Sequence, residues 1–465
     1  MDKHISRNDF QYPGGISVLN AIAFIFFSLI QISSVSSQSY DTRFTSSIYS
    51  WTESYDGTER EHLRGYQSGS LTLRDVGIKR LKIKSYFYVT DDFSEAVEGG
   101  TYFKMYDLYA EYTRAFMATD VRFGRQFIFA GVGRGPMDGL RLTYKGWKKG
   151  KVRLYAGTLA PLSNPETVDD WNESHILGGE LTIFQLLGNV LKLSFVRRSK
   201  NVEPYELDQP RLGISSINPI SLQRQAAGFN LARNLNKEMS LFIRGDFSVG
   251  EGVVDGNIAL ERGEIVFTHS KPESHYLTLE LSNRRPLVYV NSFFSRFTNL
   301  LRRSNDLSLA FDRKVAGNLW LNIKAATVLY GEGVNSFRFN SGITLSKISS
   351  GLVIRRGYGG NWTGIYGGYY GKLSRNLSLR VDGEWSDFSI TSFDLDDNDN
   401  STAFSLRTGF NLRFSRRVSI DGELQSLSQS IEWRNIGNII PFAGNDRELR
   451  VFLKLNLWFF KGADY

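Results

Sequence analysis

The chain has 465 residues, a formal net charge of +8 and no cysteine. Its mean hydropathy of −0.26 excludes a bundle of membrane helices, because each such helix needs about 20 consecutive apolar residues. The absence of cysteine excludes a disulfide framework and thiolate metal sites. The abundance of aromatic residues (14%) and of Gly (44, against 10 Pro) is typical of strands and turns.

One strongly apolar run stands near the N-terminus, from Val18 to Ile30. At about 13 residues it is short for a membrane span. It follows Lys3 and Arg7 and precedes small residues, which is typical of an export signal. We therefore predict a cleaved signal peptide over 1–37 and a β-barrel over 38–465. An N-terminal anchor or a buried helix is the alternative interpretation of the run.

From Arg43 onward, apolar and polar residues alternate with a period of two, which predicts strands with one apolar and one polar face. Short polar turns alternate with loops, several of them long, and one of these long loops is Glu53–Glu61. The strands that we predict are 41–51, 62–74, 78–90, 103–115, 119–128, 137–146, 151–160, 175–186, 190–198, 221–233, 238–249, 254–268, 275–283, 306–314, 319–330, 336–346, 350–357, 362–373, 377–388, 402–414, 418–431 and 448–460.

This pattern, with the aromatic last strand Arg450–Phe460, resembles bacterial outer-membrane β-barrel proteins of the porin type. The segment Asp120–Leu142 is similar to a hairpin of porin-like and polysaccharide-export barrels. The resemblance implies an all-β fold, a single transmembrane antiparallel up-and-down barrel. We predict about 22 strands (range 18–24), both termini on the periplasmic side and no N-terminal plug domain. The last strand is expected to pair with the first, and barrel-assembly machinery is expected to recognise it.

The polar face of the strands is predicted to line the pore. Basic residues outnumber acidic ones on that face, which favours a mild preference for anions. The alternative is that neighbouring acids and lipid phosphates balance these charges. Two long loops, Ser199–Ile220 and Arg284–Asn305, are the candidates for a constriction. The pore-lining candidates are Lys82, Lys84, Arg141, Arg153, Lys192, Arg244, Arg380, Arg407, Arg413 and Lys454.

Four local features allow more specific expectations. Arg125 is in phase with the apolar face, so either a bulge near Gly124 shifts the alternation or the strand has reached the headgroups. The glycine-rich segment Gly131–Gly135 lacks the following helix of a phosphate loop, so we expect a flexible outer loop. Asp394–Asn400 is expected to be an exposed acidic loop, with weak divalent-ion binding as the alternative. Pro286–Phe297 is either a strand or a loop folded into the lumen.

Motifs of catalysis are missing from the sequence. The five histidines are scattered without metal-ligand spacing, and no nucleophile elbow occurs. The basic residues are dispersed by strand alternation instead of clustered, which argues against nucleic-acid binding. We therefore predict a protein that is not an enzyme and that has no cofactor and no metal.

These observations favour a passive outer-membrane channel for small hydrophilic solutes, with anions as the favoured class. Two alternatives remain open: a scaffold barrel around a partner such as an electron carrier or a polysaccharide-export component, and a surface-binding protein acting through its long outer loops. The expected surroundings are outer-membrane lipid and lipopolysaccharide, and export proceeds through the cleaved signal peptide. A homo-oligomer and a periplasmic partner are both compatible with the sequence.

Overall fold

The computed structural model describes residues 39–55, 58–93, 102–161, 167–201, 205–211, 214–217, 224–249, 258–285, 303–330, 335–358, 360–389, 401–432 and 443–461. All regular structure in these residues is β. The strands are β1 (Ser39–Tyr55), β2 (Thr58–Arg74), β3 (Leu81–Asp92), β4 (Tyr102–Phe116), β5 (Thr119–Ala130), β6 (Gly133–Tyr144), β7 (Gly150–Leu159), β8 (Ser174–Leu186), β9 (Asn189–Lys200), β10 (Tyr205–Arg211), β11 (Ile214–Ile217), β12 (Arg224–Asn234), β13 (Met239–Ser248), β14 (Ala259–Lys271), β15 (His275–Arg284), β16 (Ser304–Ala316), β17 (Leu319–Tyr330), β18 (Asn335–Leu345), β19 (Ile348–Gly357), β20 (Asn361–Lys372), β21 (Leu377–Ser389), β22 (Ser401–Arg413), β23 (Val418–Glu432) and β24 (Ala443–Lys461).

The strands form one closed 22-stranded antiparallel barrel. Each strand pairs with the next along the chain, except that β9 pairs with β12. The sheet closes where β24 pairs with β1, with Lys454 opposite Ser47 and Arg450 opposite Trp51. The predicted all-β class, the barrel and the pairing of the last strand with the first are therefore confirmed. The two strands left out of the wall, β10 and β11, form a separate small hairpin.

The two faces of the wall differ in the way that the alternation predicts. On β24, the side chains of Leu449, Val451 and Leu453 are exposed at 48%, 42% and 47%. Asn456, on the opposite face, is buried and donates a hydrogen bond to the Asp421 carboxylate at 2.7 Å. Apolar side chains thus cover the outer surface of the barrel, and hydrogen-bonded polar side chains line the inside.

The connections also follow the expected asymmetry, with one exception. Tight turns at one rim are built on residues with positive φ, such as Leu187 (51°) and Gly188 (79°). Most longer connections lie at the other rim. The exception is the predicted loop Glu53–Glu61, which is wrong, because β1 and β2 remain paired up to Tyr55 and Thr58.

Some expectations fall on parts of the chain that the structure does not describe. The predicted signal peptide over 1–37 lies outside the described residues, as do Pro286–Phe297 and the acidic segment Asp394–Asn400. Among the described residues, no helix has the length and hydropathy needed to cross a bilayer.

Candidate functional site: the lumen and its inward hairpin

The cross-strand register places all ten predicted pore-lining residues on the inner face. Directly opposed residues share a face. Lys82 is directly opposite Glu111, Glu111 is opposite Arg122, and Arg122 is opposite Arg141, so these four residues share one face; we call this row of opposed residues the charged ladder. It continues through β7 to β24 and returns to β1. Inner-face neighbours of the other candidates include Tyr109 for Lys84, Glu180 for Arg153, Thr182 for Lys192, Glu264 for Arg244, Tyr370 for Arg380, Asp382 for Arg407, Ser419 for Arg413 and Ser47 for Lys454. A role in conduction remains a prediction.

Most of these cations have acidic partners on the same face, which reduces the positive potential that the sequence suggests. The pairs are Lys82–Glu111 (3.3 Å), Lys84–Asp107 (2.7 Å), Arg141–Glu111 (3.9 Å), Arg153–Glu180 (3.6 Å), Arg244–Asp246 (2.5 Å), Arg380–Asp382 and Arg407–Glu423 (4.0 Å). No ion pair is formed within the described residues by Lys192, Arg413 or Lys454. The expected excess of positive charge is therefore local, not uniform.

A local concentration of cations is an arginine cluster on β5, β6 and β7, formed by Arg122, Arg141 and Arg153. Glu111 is shared by Lys82, Arg122 (2.9 Å) and Arg141, so one carboxylate balances three cations. Within the part of the chain that the structure describes, the buried Nε–H groups of the three arginines find no acceptor. Unused donors beside uncompensated charge are the chemistry that an oxyanion satisfies.

The arginine cluster lies beside a hairpin that leaves the wall. β5 pairs with β4 only from Thr119 to Arg125, and β6 pairs with β7 only from Met137 to Tyr144. Beyond these points β5 and β6 pair only with each other, up to Ala130 opposite Gly133. We call residues 126–137 the inward hairpin, because its contacts show that it folds over the inner surface of the barrel.

One face of the inward hairpin packs against the inner wall. Ile128 and Met137 are fully buried with Ile176 of β8, Val196 of β9 and Ala226 of β12, in the largest cluster of buried apolar residues among those described. The wall residues of this cluster share their face with the charged ladder, since Val196 and Ser194 alternate with the outward Phe195. The cluster is therefore an apolar core inside the lumen.

Two polar contacts and an absent side chain fix the tip of the hairpin. Arg153 Nη1 donates to the Phe129 carbonyl oxygen at 2.7 Å, and the Val132 amide donates to Ser194 Oγ at 3.1 Å. A Cβ atom at Gly228 would lie only 2.5 Å from Val132 Cγ1, so the tip fits because β12 has no side chain there. Arg153 thus joins the arginine cluster to the hairpin.

An ion pair closes the base of the hairpin. The Arg125 guanidinium donates to both oxygens of Asp138, at 2.8 and 2.7 Å, and to the carbonyl oxygens of Pro161 and Thr167. Its side chain is 5% exposed. The register with β4 is regular at Gly124, which has a φ of +116°. Neither expectation for Arg125 is correct: no bulge shifts the phase, and the residue is buried where β5 bends away from the wall.

The other face of the hairpin is free. Phe129, directly opposite Arg134, is 68% exposed, and Arg134 is exposed as well. Because the first face is packed on the inner wall, this second face points into the lumen. The hairpin therefore narrows the lumen with an aromatic ring and a cation.

Sequence reasoning missed this element. The expectation of a flexible outer loop at Gly131–Gly135 is wrong, since these residues form the tight tip of the docked hairpin. Of the two constriction candidates, Ser199–Ile220 contains the small hairpin β10–β11, and most of Arg284–Asn305 lies outside the described residues. The signal in the sequence is the set Ile128, Ala130, Val132 and Met137, which is apolar on the face that is otherwise polar.

The histidines do not assemble a metal site. His269 and His275 lie 3.2 Å apart through their ring nitrogens, and His269 contacts Glu238 at 3.4 Å. In the described part of the chain no group of three or more His, Cys, Asp or Glu side chains is arranged to hold a metal ion.

Comparisons with known proteins give the fold. No family model matches this sequence, and a search of curated proteins finds no relative. Among solved structures, a mutant of the ferric enterobactin receptor PfeA from Pseudomonas aeruginosa matches with a TM-score of 0.57 and 11% identity, over 90% of this chain and 80% of that one. The channel OccK2 (OpdF) from the same organism, in complex with glucuronate, matches with a TM-score of 0.44 and 10% identity, over 90% and 98%. The chain thus has the fold of an outer-membrane β-barrel, and identities this low show the fold alone.

Proposed function

We propose that this protein is an outer-membrane channel through which small hydrophilic solutes diffuse, with a mild preference for anions. The observation that carries the proposal is the mainly polar inner face of a closed 22-stranded barrel, with an inward hairpin that lies beside three arginines. Barrels of 16 to 18 strands already enclose an aqueous channel. An element that narrows a wider lumen is what selectivity requires.

The mechanism needs no conformational change. A solute enters down its gradient and passes the inward hairpin, where Arg134 and the arginine cluster raise the local concentration of anions. The positive charge of the arginine cluster is partly neutralised, because Glu111 contacts Arg122 and Arg141, and Glu180 contacts Arg153. We therefore expect a modest anion preference and not strict exclusion of cations.

Planar-bilayer recording of the purified barrel tests the proposal. Steady conductance in potassium chloride and a reversal potential on the anion side are the expected results. The double variant Arg122→Gln/Arg141→Gln should move the reversal potential toward cation preference. The matched control Arg338→Gln, an inner-face position on β18 away from the cluster, should move it much less.

Three outcomes would contradict the proposal. A sealed barrel would favour a scaffold or surface-binding role, a wild-type reversal potential on the cation side would overturn the anion preference, and equal shifts for both variants would remove the arginine cluster as its source. We further propose that the exposed apolar band contacts outer-membrane lipid and that the barrel-assembly machinery inserts the chain. Density-gradient separation of membranes tests this location, and recovery in the inner membrane would contradict it.

A further inference from the structure

The two rims of the barrel carry opposite charge. We call the ten tight turns between wall strands the turn rim: 75–80, 117–118, 145–149, 187–188, 235–238, 272–274, 317–318, 346–347, 373–376 and 414–417. These turns contain ten Lys or Arg and three Asp or Glu. The eleven connections between wall strands at the other rim, one of which includes β10 and β11, contain six Lys or Arg and seventeen Asp or Glu. The turn rim is therefore strongly basic, and the opposite rim is acidic.

The positive charge of the turn rim is exposed and mostly uncompensated. The ten cations, all of them exposed, are Lys79, Arg80, Lys145, Lys148, Lys149, Lys237, Lys347, Arg375, Arg416 and Arg417. Within the described residues, the only ion pair of this set is that of Lys145 with Asp120. The two residues on each side of every turn add seven more Lys or Arg and one acid, which is Asp120 itself. Most of this charge is therefore available to a group outside the barrel.

Exposed apolar side chains accompany the cations. Seven of the ten turns contain a large one: Ile78, Met117, Trp147, Leu187, Leu235, Leu373 and Phe414. The side chains of Met117 and Leu187 are exposed at 91% and 87%. The Phe414 amide donates to the carbonyl oxygen of Val418, which is opposite Leu457 of the outer face. Apolar surface thus continues from the outer face of the wall into the turns, where water alone would be an unfavourable neighbour.

The cations lie next to these apolar residues in the sequence. In five turns a Lys or Arg follows the apolar residue by one or two positions, at Lys79, Lys148, Lys237, Arg375 and Arg416. A tight turn therefore holds both side chains just beyond the apolar band of the barrel. At that depth the hydrocarbon of a bilayer ends and the lipid phosphates begin, so an apolar residue beside a cation is suited to both layers.

The distribution of the cations around the ring distinguishes between a membrane and a protein partner. Cations occur in six of the ten turns: β2–β3, β6–β7, β12–β13, β18–β19, β20–β21 and β22–β23. A folded protein that docks on one rim contacts mainly one sector of it. A layer of lipid headgroups contacts the whole circumference. The spread of the charge therefore favours lipid as the partner of the turn rim.

We propose that the turn rim binds anionic phospholipids and holds them around this end of the barrel. The lysines and arginines contact the phosphates, and the apolar residues of the turns enter the headgroup layer. Because few acids offset the cations, lipids with a net negative charge bind in preference to zwitterionic ones. The proposal rests on the membrane location given under Proposed function, but it does not depend on conduction.

Electron spin resonance of spin-labelled lipids tests the proposal. The full chain is reconstituted in phosphatidylcholine vesicles, and the motionally restricted fraction of spin-labelled phosphatidylglycerol is compared with that of spin-labelled phosphatidylcholine. Phosphatidylglycerol is expected to associate about two- to fivefold more strongly, because one cation near an anionic surface favours contact by up to about fivefold. The preference should disappear in roughly 1 M salt, where charges are screened within about 3 Å. The variant Lys148→Gln/Lys149→Gln/Arg375→Gln/Arg416→Gln should reduce it by about half.

The variant Arg284→Gln/Arg285→Gln/Arg303→Gln/Arg356→Gln is the matched control. It removes four exposed cations near the other rim and should leave the lipid preference unchanged. Retained shift of the folded band on unheated gels shows that each variant is still a barrel. Equal association of the two lipids with the wild-type barrel would overturn the proposal and favour an acidic protein as the partner. Equal losses in the two variants, or a preference that persists in high salt, would overturn it as well.

A nitroxide at the tip of one turn tests the apolar contact separately. The chain contains no cysteine, so Leu187→Cys can be labelled at a single position. Collisions of this label with oxygen should exceed those with a water-soluble nickel complex, and the opposite result would contradict insertion of the turn into the headgroup layer. Conductance of the same preparation keeps the two proposals apart. A sealed barrel that still prefers phosphatidylglycerol would contradict the channel and leave the lipid site standing.

Discussion

The wall behind the inward hairpin and the wall formed by β21 and β22 belong to the same sheet, but their inner faces differ in polarity. Behind the hairpin, the inward positions are Ile176, Val196, Ala226 and Gly228, which are apolar or lack a side chain. On β21 and β22, inward positions such as Glu384 and Arg407 are charged and half-buried to exposed. The inner face of this barrel is therefore mainly apolar where the hairpin covers it and charged on β21 and β22.

The difference shows that the polarity of an inner face depends on whether protein or water covers that face. A barrel wall with an apolar outer face and an apolar inner face has to be covered on both sides. In this chain the outer side is covered by the apolar environment that the exposed leucines indicate, and the inner side by the protein itself. A stretch of the inner face that turns apolar thus marks the position of an internal element.

The largest effect that separates the two walls is expected at the hairpin core. Ile128→Ala removes a fully buried side chain and leaves a cavity, which should lower the free energy of unfolding of the docked hairpin by about 2–5 kcal/mol. Denaturant titration of the barrel in detergent and single-channel recording measure it, with lower stability and larger current fluctuations expected. Phe129→Ala, next in sequence but 68% exposed, is the control. Equal destabilisation by both variants would show that the hairpin is not packed on the wall.

A smaller effect is expected where a side chain is added. Gly228→Val places a branched side chain at the position that Val132 of the hairpin tip fills, which should cost about 1–3 kcal/mol through overpacking. Conductance should rise, because the tip is pushed off the wall. Gly409→Val is the matched control: it also faces inward, but its Cβ would meet no atom closer than 3.3 Å. Similar currents in the two variants would contradict a docked tip.

Substitution of an arginine should also lower stability more on the wall beside the hairpin than on β21. Arg153→Gln removes the hydrogen bond to the Phe129 carbonyl and leaves the buried Glu180 carboxylate without its ion-pair partner, with an expected cost of about 1–3 kcal/mol. Arg380→Gln, on β21, removes an exposed partner of Asp382 and should change the free energy of unfolding by about 0–1 kcal/mol. Parallel denaturant titrations measure both. A larger loss for Arg380→Gln would reverse the comparison between the walls.

Most of the barrel follows from alternation alone. The strands that pair as β1–β9 and β12–β24 are the ones that the period of two predicts, because an apolar outer face and a polar inner face leave a strand only one register. The closure of β24 on β1 follows in the same way from Leu453 and Lys454. The ends of strands at the loops are less determined, as the extension of β1 to Tyr55 shows.

The candidate site was only partly predictable, for a physical reason. A single strand tells which residues share a face but not what covers that face. Arg141 and Arg153 are identified as inner-face residues by alternation, whereas the contact of Arg153 with Phe129 depends on a hairpin that packs across four strands. The glycines Gly131 and Gly133, taken alone, predict a flexible loop. Only the apolar residues Ile128 and Met137 indicate that the hairpin packs against the wall.

The seam between β1 and β24 has a consequence for the order of assembly. It joins residues as far apart as Thr45 and Asn456, 411 positions along the chain, whereas the tip of the inward hairpin contacts Ser194 only 62 positions away. Contacts of short sequence separation form with less loss of chain entropy. The hairpin is therefore expected to settle on β8, β9 and β12 while the sheet is still an open ribbon. A nascent barrel of this kind closes around an interior that is already in place.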